Sequence, residues 1–187
     1  DIETINLELI FADLDTVQKR IQKTEKKLKS HEKNVQLEFE LLKRLEEELE
    51  EGKSARSLKL SKEEEAILKD LHLLTRKPVL YVANVSEEEA ADYENNAYVN
   101  AVRDFAETEG AGVVVISAKV ESEIAELEGE DKRLFLEEMG LDSSGLDRLI
   151  REAYQLLGLI TYFTAGEKEV RAWTIHRGMK APEAAGV

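Results

Sequence analysis

Asn84, Glu87, Ser117 and Lys119 are the residues whose types and spacing could do chemistry in this chain. The apolar run Val79 to Ala83 leads straight into Asn84-Val85-Ser86-Glu87, and the run Val113 to Ile116 leads into Ser117-Ala118-Lys119. Each run reads as a buried strand that ends in a polar loop, and ligands of α/β sheets bind at the tips of parallel strands. A carboxylate at such a tip can accept hydrogen bonds from the N–H groups of a ligand. A plainer reading stands beside this one. The strand simply ends, Ser86 caps a helix, and Glu87 to Glu89 occupy its first turn.

The elements that must position these loops follow from periodicity. Residues 96 to 109 carry Val99, Val102, Phe105 and Ala106 on one helical face, between the two strands. Strand, helix and strand with the usual crossover make a right-handed parallel unit. Upstream, Ser61 with Glu64 three residues on is a capping box for a helix to about Leu74, and Pro78 opens the first strand. Downstream, short helical pieces are predicted over 120 to 127 and 130 to 139, the second stopped by Gly140. A helix over 146 to 157 follows, with Leu146, Leu149, Ile150, Ala153 and Leu157 inward. The β-rich runs 159 to 164 and 170 to 175 flank Ala165-Gly166-Glu167-Lys168, which is a hairpin signature.

Residues 13 to 51 are a charge-dense helical region. Leu14, Val17, Ile21, Thr24, Leu28, His31, Val35, Glu38, Leu42, Leu45 and Leu49 follow alternating steps of three and four, a seam like that of a coiled coil. Two antiparallel helices, 13 to 29 and 32 to 51, with Ser30 as a partial cap at the second, compete with one uninterrupted helix.

Composition bounds the partners. The formal charge of −14 disfavours non-specific attraction to nucleic-acid backbones, with Lys26-Lys27 and Arg171 with Arg177 as the local basic candidates. There is no cysteine, which excludes disulfides and cysteine metal sites. No apolar run is long enough for a membrane span. The chain starts without Met and already in helical register, as expected if further sequence precedes it.

Other motifs carry less. Gly52-Lys53-Ser54 ends like the phosphate loop GxxxxGK[ST], but position 47 is Glu47, no strand precedes it, and an acidic helix end repels phosphate. A helix C-terminus, with Gly52 as the cap and Lys53 beside the negative dipole end, explains all three residues. His31, His72 and His176 share no metal-ligand spacing, and the glutamate runs at 46 to 48 and 63 to 65 read as solvated helix faces. No catalytic residue and no metal ligand is identified.

The two loops are similar to the two base-recognition loops of P-loop GTPase-type domains, Asn-Lys-x-Asp and Ser-Ala-Lys. The resemblance then extends over nearly the whole chain. DIETIN (1 to 6), KPVLYVANVSE (77 to 87), AELEGED (125 to 131) and TYFTAGEKEVRAWTI with APEAAG (161 to 186) resemble the Obg-related YchF subfamily of P-loop NTPases, the Obg-like ATPases. The resemblance implies an α/β, parallel-sheet nucleotide-binding domain, present here as its C-terminal half, residues 1–12 and 61–158. A helical coiled-coil hairpin, 13–60, is inserted into it. Residues 159–187 would be the first hairpin of a TGS domain, a β-grasp module. Asn84 and Glu87 would bracket a nucleotide base with Val85 beside it, and Ser117 and Ala118 would contribute from the second loop. Asn-x-x-Glu in place of Asn-Lys-x-Asp goes with ATP hydrolysed as well as or better than GTP. The intact protein would use ATP or GTP with Mg²⁺, bind the ribosome, and be cytoplasmic, with no membrane or DNA partner. The phosphate loop, switch regions and Mg²⁺ ligands of such enzymes are absent from these residues. This segment alone is therefore expected to be inactive and to hold nucleotide weakly. The competing function is a non-catalytic interaction module of coiled coil and TGS surfaces. A structural coiled-coil protein would explain 13 to 51 but leave 77 to 175 without a reason.

Overall fold

The computed structural model describes residues 1–28, 33–90, 92–167 and 169–184. The chain divides into two compact units, Asp1–Lys77 and Pro78–Val187.

In the first unit the first helix starts earlier than the predicted residue 13. Helix α1 is Ile2–Glu25, with Ile10, Val17 and Ile21 buried along one stripe. Ile10 of that stripe lies upstream of residue 13 while Leu7 stays exposed, so helix formation does not wait for residue 13. Helix α2, Lys33–Glu50, buries Leu41, Leu42, Leu45 and Leu49 against it. The two run antiparallel. Arg20 Nε donates to Glu38 Oε1 at 2.5 Å near one end, while a side-chain carbon on Gly52 would lie 3.9 Å from Leu7 at the other. Glu38, a polar member of the seam, is thus paired. Ser30 and His31 lie outside the described residues. Gly52 closes α2 in the left-handed region at φ 77°, with Lys53 N donating back to Glu48 O, as the helix-cap reading expects.

Helix α3, Lys62–Lys69, carries the expected capping box, Ser61 with Glu64. It ends at Lys69 and not near Leu74, because residues 74 and 75 bond elsewhere. The buried Asp13 carboxylate accepts from Leu74 N, Thr75 N and Thr75 Oγ1, each at 2.7 Å, and Thr75 Oγ1 accepts from Ala55 N at 2.8 Å. His72 adopts φ 50° in the turn between α3 and this anchored segment.

In the second unit, β1 (Leu80–Asn84) and β2 (Gly112–Ile116) pair in parallel, from Leu80 opposite Gly112 to Asn84 opposite Ile116. Helix α4, Ala97–Glu109, makes the crossover. Asn96 caps it by accepting from Tyr98 N and Val99 N, and Gly110 ends it at φ 65°. Tyr81 meets Phe105 of α4 edge to face, with ring centroids 5.9 Å apart. The strand β1 is only half-buried: Val82, on the other face, is 44% exposed, where the unbroken apolar run predicts burial on both faces. Val85, Ala90, Val99, Val115, Val120 and Ile124 form the core. Helices α5 (Ala118–Ile124) and α6 (Gly129–Glu138) correspond to the two predicted short pieces.

Helix α7, Gly145–Leu156, forms where expected, but the predicted inward face is largely outward. Leu146, Ile150 and Leu157 are 53%, 48% and 52% exposed. Gly145 packs against Ile116, and Arg148 donates to Val115 O at 2.9 Å, so the stripe through 145 and 148 sets the helix rotation. Strands β3 (Leu159–Ala165) and β4 (Val170–His176) pair antiparallel, Leu159 opposite His176 and Ala165 opposite Val170. A short helix α8, Ala181–Ala184, follows. Among the described residues no helix is long and apolar enough to cross a membrane.

Candidate functional site

The parallel register sets the site. Asn84 and Ile116 are paired at the last position of the ladder, so the loops that follow them leave the sheet side by side. Val85 N donates to Ile116 O at 2.8 Å and extends the pairing by one residue. Asn84 then crosses to the start of α5, which takes up Ala118 and Lys119 of the predicted loop: its Oδ1 accepts from Ala118 N at 2.9 Å. With Oδ1 so used, the Asn84 side chain retains an amino group with two N–H donors.

The remaining predicted residues divide. The Val85 side chain is only 8% exposed and packs in the core, so it is withdrawn from the loop surface. Ser86 does not cap a helix. Residues 87 to 89 form a turn, and both the N–H and the hydroxyl of Ser86 donate to Glu89, at 3.1 and 2.9 Å. Those bonds, the hydroxyl foremost, hold the Glu89 carboxyl below the usual carboxylate range. Glu87 is half-exposed and accepts a hydrogen bond from Lys119 Nζ in the first turn of α5. That bond, reinforced by the charge of Glu87, raises the Lys119 ammonium above its ordinary value. Ser117 is 3% exposed, and among the described residues its hydroxyl has no hydrogen-bond partner, although it stands at the N-cap position of α5.

Behind the loops, α7 is anchored to the strand ends. Glu121 of α5 accepts from Gly145 N at 2.6 Å and Leu146 N at 3.0 Å, satisfying two of the free donors at the α7 N-terminus. Ser144 accepts from Asp147 N at 3.1 Å and donates to Asp147 Oδ2 at 2.8 Å. A side chain at position 145 would stand 2.7 Å from Ile116 and 2.8 Å from Glu121, so only glycine allows this approach.

Sequence reasoning missed the pairing of Lys119 with Glu87. The signal was available, since opposite charges sit three residues past Asn84 and three past Ile116, positions that the parallel register brings together. The arrangement offers amide donors, a carboxylate and an ammonium at two joined strand tips. It contains no paired nucleophile and base. Among the described residues no cluster of three or more His, Cys, Asp or Glu could hold a metal.

Comparison with known proteins agrees with that architecture. Residues 159–187 match the family model YchF-GTPase_C, described as "Protein of unknown function (DUF933)". The whole chain is 58% identical to the "Ribosome-binding ATPase YchF" of Bacillus subtilis (strain 168), spanning 51% of that protein. It is 48% identical over 186 residues to the protein of the same name from Escherichia coli O157:H7, spanning 50% of it. All of the chain superimposes on the structure of the Schizosaccharomyces pombe YchF GTPase with a TM-score of 0.84 at 30% identity, and covers 51% of that chain. These 187 residues therefore span half the length of the relatives they match.

Proposed function

This chain belongs to the YchF family by homology along its whole length, and from that premise we propose that it is the base-recognition part of a nucleotide-binding ATPase. The observation that carries the reading is the Asn84 Oδ1 to Ala118 N bond, which joins the two loops at the end of a parallel strand pair. Asn84 offers its amino group to the ring nitrogen or exocyclic edge of a purine. The backbone of Ser117 and Ala118 flanks the base, and Glu87 stands at the far side of the loop. Val85 contributes by packing the loop down, not by touching the base. In this proposal the intact protein binds ATP or GTP with Mg²⁺; that it hydrolyses ATP and contacts the ribosome follows the name "Ribosome-binding ATPase" which its bacterial relatives carry. Its setting is cytoplasmic. Phosphate binding and catalysis come from residues outside these 187, and this segment alone turns over no nucleotide.

In this reading residues 1–12 and 61–158 belong to the nucleotide-binding domain, 13–60 to an inserted helical hairpin, and 159–187 to the start of a β-grasp TGS domain. A second reading, a non-catalytic interaction module, is favoured by one feature: Phe163 and Val170 on the β3–β4 hairpin are 67% and 74% exposed.

Calorimetric titration of ATP and GTP with Mg²⁺ into the full-length protein separates the two. The proposal expects ATP to bind at least as tightly as GTP, and Asn84→Ala to weaken both by about tenfold, the loss of one or two well-placed hydrogen bonds. Absence of binding by either nucleotide would leave the interaction module standing.

A further inference from the structure

The carboxylate best placed to read a purine edge is already engaged. Lys119 Nζ donates to Glu87 Oε2, linking the two loops a second time beside the Asn84–Ala118 bond. Glu123 and Glu88 also lie within electrostatic reach of the ammonium, so Lys119 sits in an acidic surround and Glu87 is its hydrogen-bonded partner. Guanine presents two donors, N1–H and the 2-amino group, where adenine presents the N1 acceptor. A carboxylate with one oxygen held by an ammonium has lost acceptor capacity toward two donors at once. The ammonium also places a positive charge where N–H donors would approach, and that charge suits an acceptor such as adenine N1.

We propose that Lys119 is a specificity-determining residue: by holding Glu87 it withdraws that carboxylate from guanine recognition and tilts the base site toward adenine. This rests on loops 84–87 and 117–119 being the base site. Both partners are partly solvated, with side chains 68% and 38% exposed. The pair is therefore weak in isolation, and its effect on nucleotide preference is about fivefold, the worth of a good surface ion pair.

The test is titration of ATP and GTP, each with Mg²⁺, into the full-length protein and five variants. Lys119→Met and Lys119→Gln keep most of the stem and remove the charge, and each is expected to raise GTP affinity relative to ATP about fivefold. Lys119→Arg keeps a cation on Glu87 and is expected to leave the ratio where it was. Adding Glu87→Gln to Lys119→Met removes the released carboxylate and is expected to cancel the gain. A purely structural role for Lys119 would weaken both nucleotides together and leave the ratio unmoved. An unchanged ratio in Lys119→Met and Lys119→Gln, with both nucleotides still bound, overturns the proposal and leaves the base site intact. If Asn84→Ala binds both nucleotides as tightly as the unmodified protein, the base-site reading fails and the specificity role falls with it.

Discussion

Replacing Asp13 by alanine is expected to loosen the segment that leads into β1 far more than a single side-chain contact would suggest. The Asp13 side chain is 2% exposed and accepts three hydrogen bonds at 2.7 Å, two from the backbone of Leu74 and Thr75 and one from the Thr75 hydroxyl. Alanine leaves both backbone N–H groups without this acceptor, at roughly 1–3 kcal/mol for the buried Thr75 donor and less for the part-exposed Leu74 donor. The Thr75 hydroxyl loses its acceptor as well, while Ala55 N can still donate to it. Relief from burying a carboxylate offsets part of this, because a charge in the interior carries its own desolvation cost. The net loss is about 3 kcal/mol, equivalent to about a hundredfold fall in hydrogen-exchange protection where the segment opens locally. Native-state exchange on the full-length protein, read at the Leu74, Thr75 and Ala55 amides, measures it. Asp13→Asn keeps one acceptor and introduces two donors, and is expected to lie between the two. A fall in protection below about threefold in Asp13→Ala would refute the claim that this carboxylate holds the segment.

Gly145→Ala forces a carbon to within 2.7 Å of Ile116 and 2.8 Å of Glu121, so α7 must shift from the strand end. Thermal unfolding of the full-length variant is expected to show a loss of about 2 kcal/mol, and a neutral result would mean that the helix moves freely. The Ser86–Glu89 bonds lower the carboxyl, so their stabilisation is complete above the unfolded value and disappears as pH falls through the folded one. Exchange protection of the Ser86 amide is therefore expected to hold at pH 6 and to drop below about pH 4; constant protection across that range would contradict the assignment. Glu87→Asp shortens the carboxylate by one methylene, pulls it back from Lys119 and is expected to shift preference toward GTP by severalfold in titrations, whereas an unmoved ratio would count against Glu87 at the base edge.

Much of the second unit was legible because its signals are local. The α4 periodicity, with Val99 and Ala106 buried, the turn residues between β3 and β4, and in the first unit the Ser61–Glu64 box each act within a few residues. What escaped depends on contacts far apart in the chain. The end of α3 is decided by Asp13, about sixty residues away along the sequence, which claims the amides that a longer helix would use. The rotation of α7 is decided by how closely Gly145 approaches Ile116 and by Arg148 on Val115, neither visible in a helical wheel. Within the site, Asn84, Ser117 and Ala118 stand together at the strand tips. The burial of Val85 was not legible, because the face taken by the residue that follows the strand is fixed only by the register.

The central claim is that a purine sits against Asn84 and the 117–118 backbone. A crystal structure of the full-length protein with a non-hydrolysable ATP analogue tests it most directly. An adenine is expected within hydrogen-bonding distance of the Asn84 amino group, with the Asn84–Ala118 bond retained and Glu87 still paired to Lys119. An adenine bound elsewhere, or one at these loops that leaves Asn84 untouched, would contradict it.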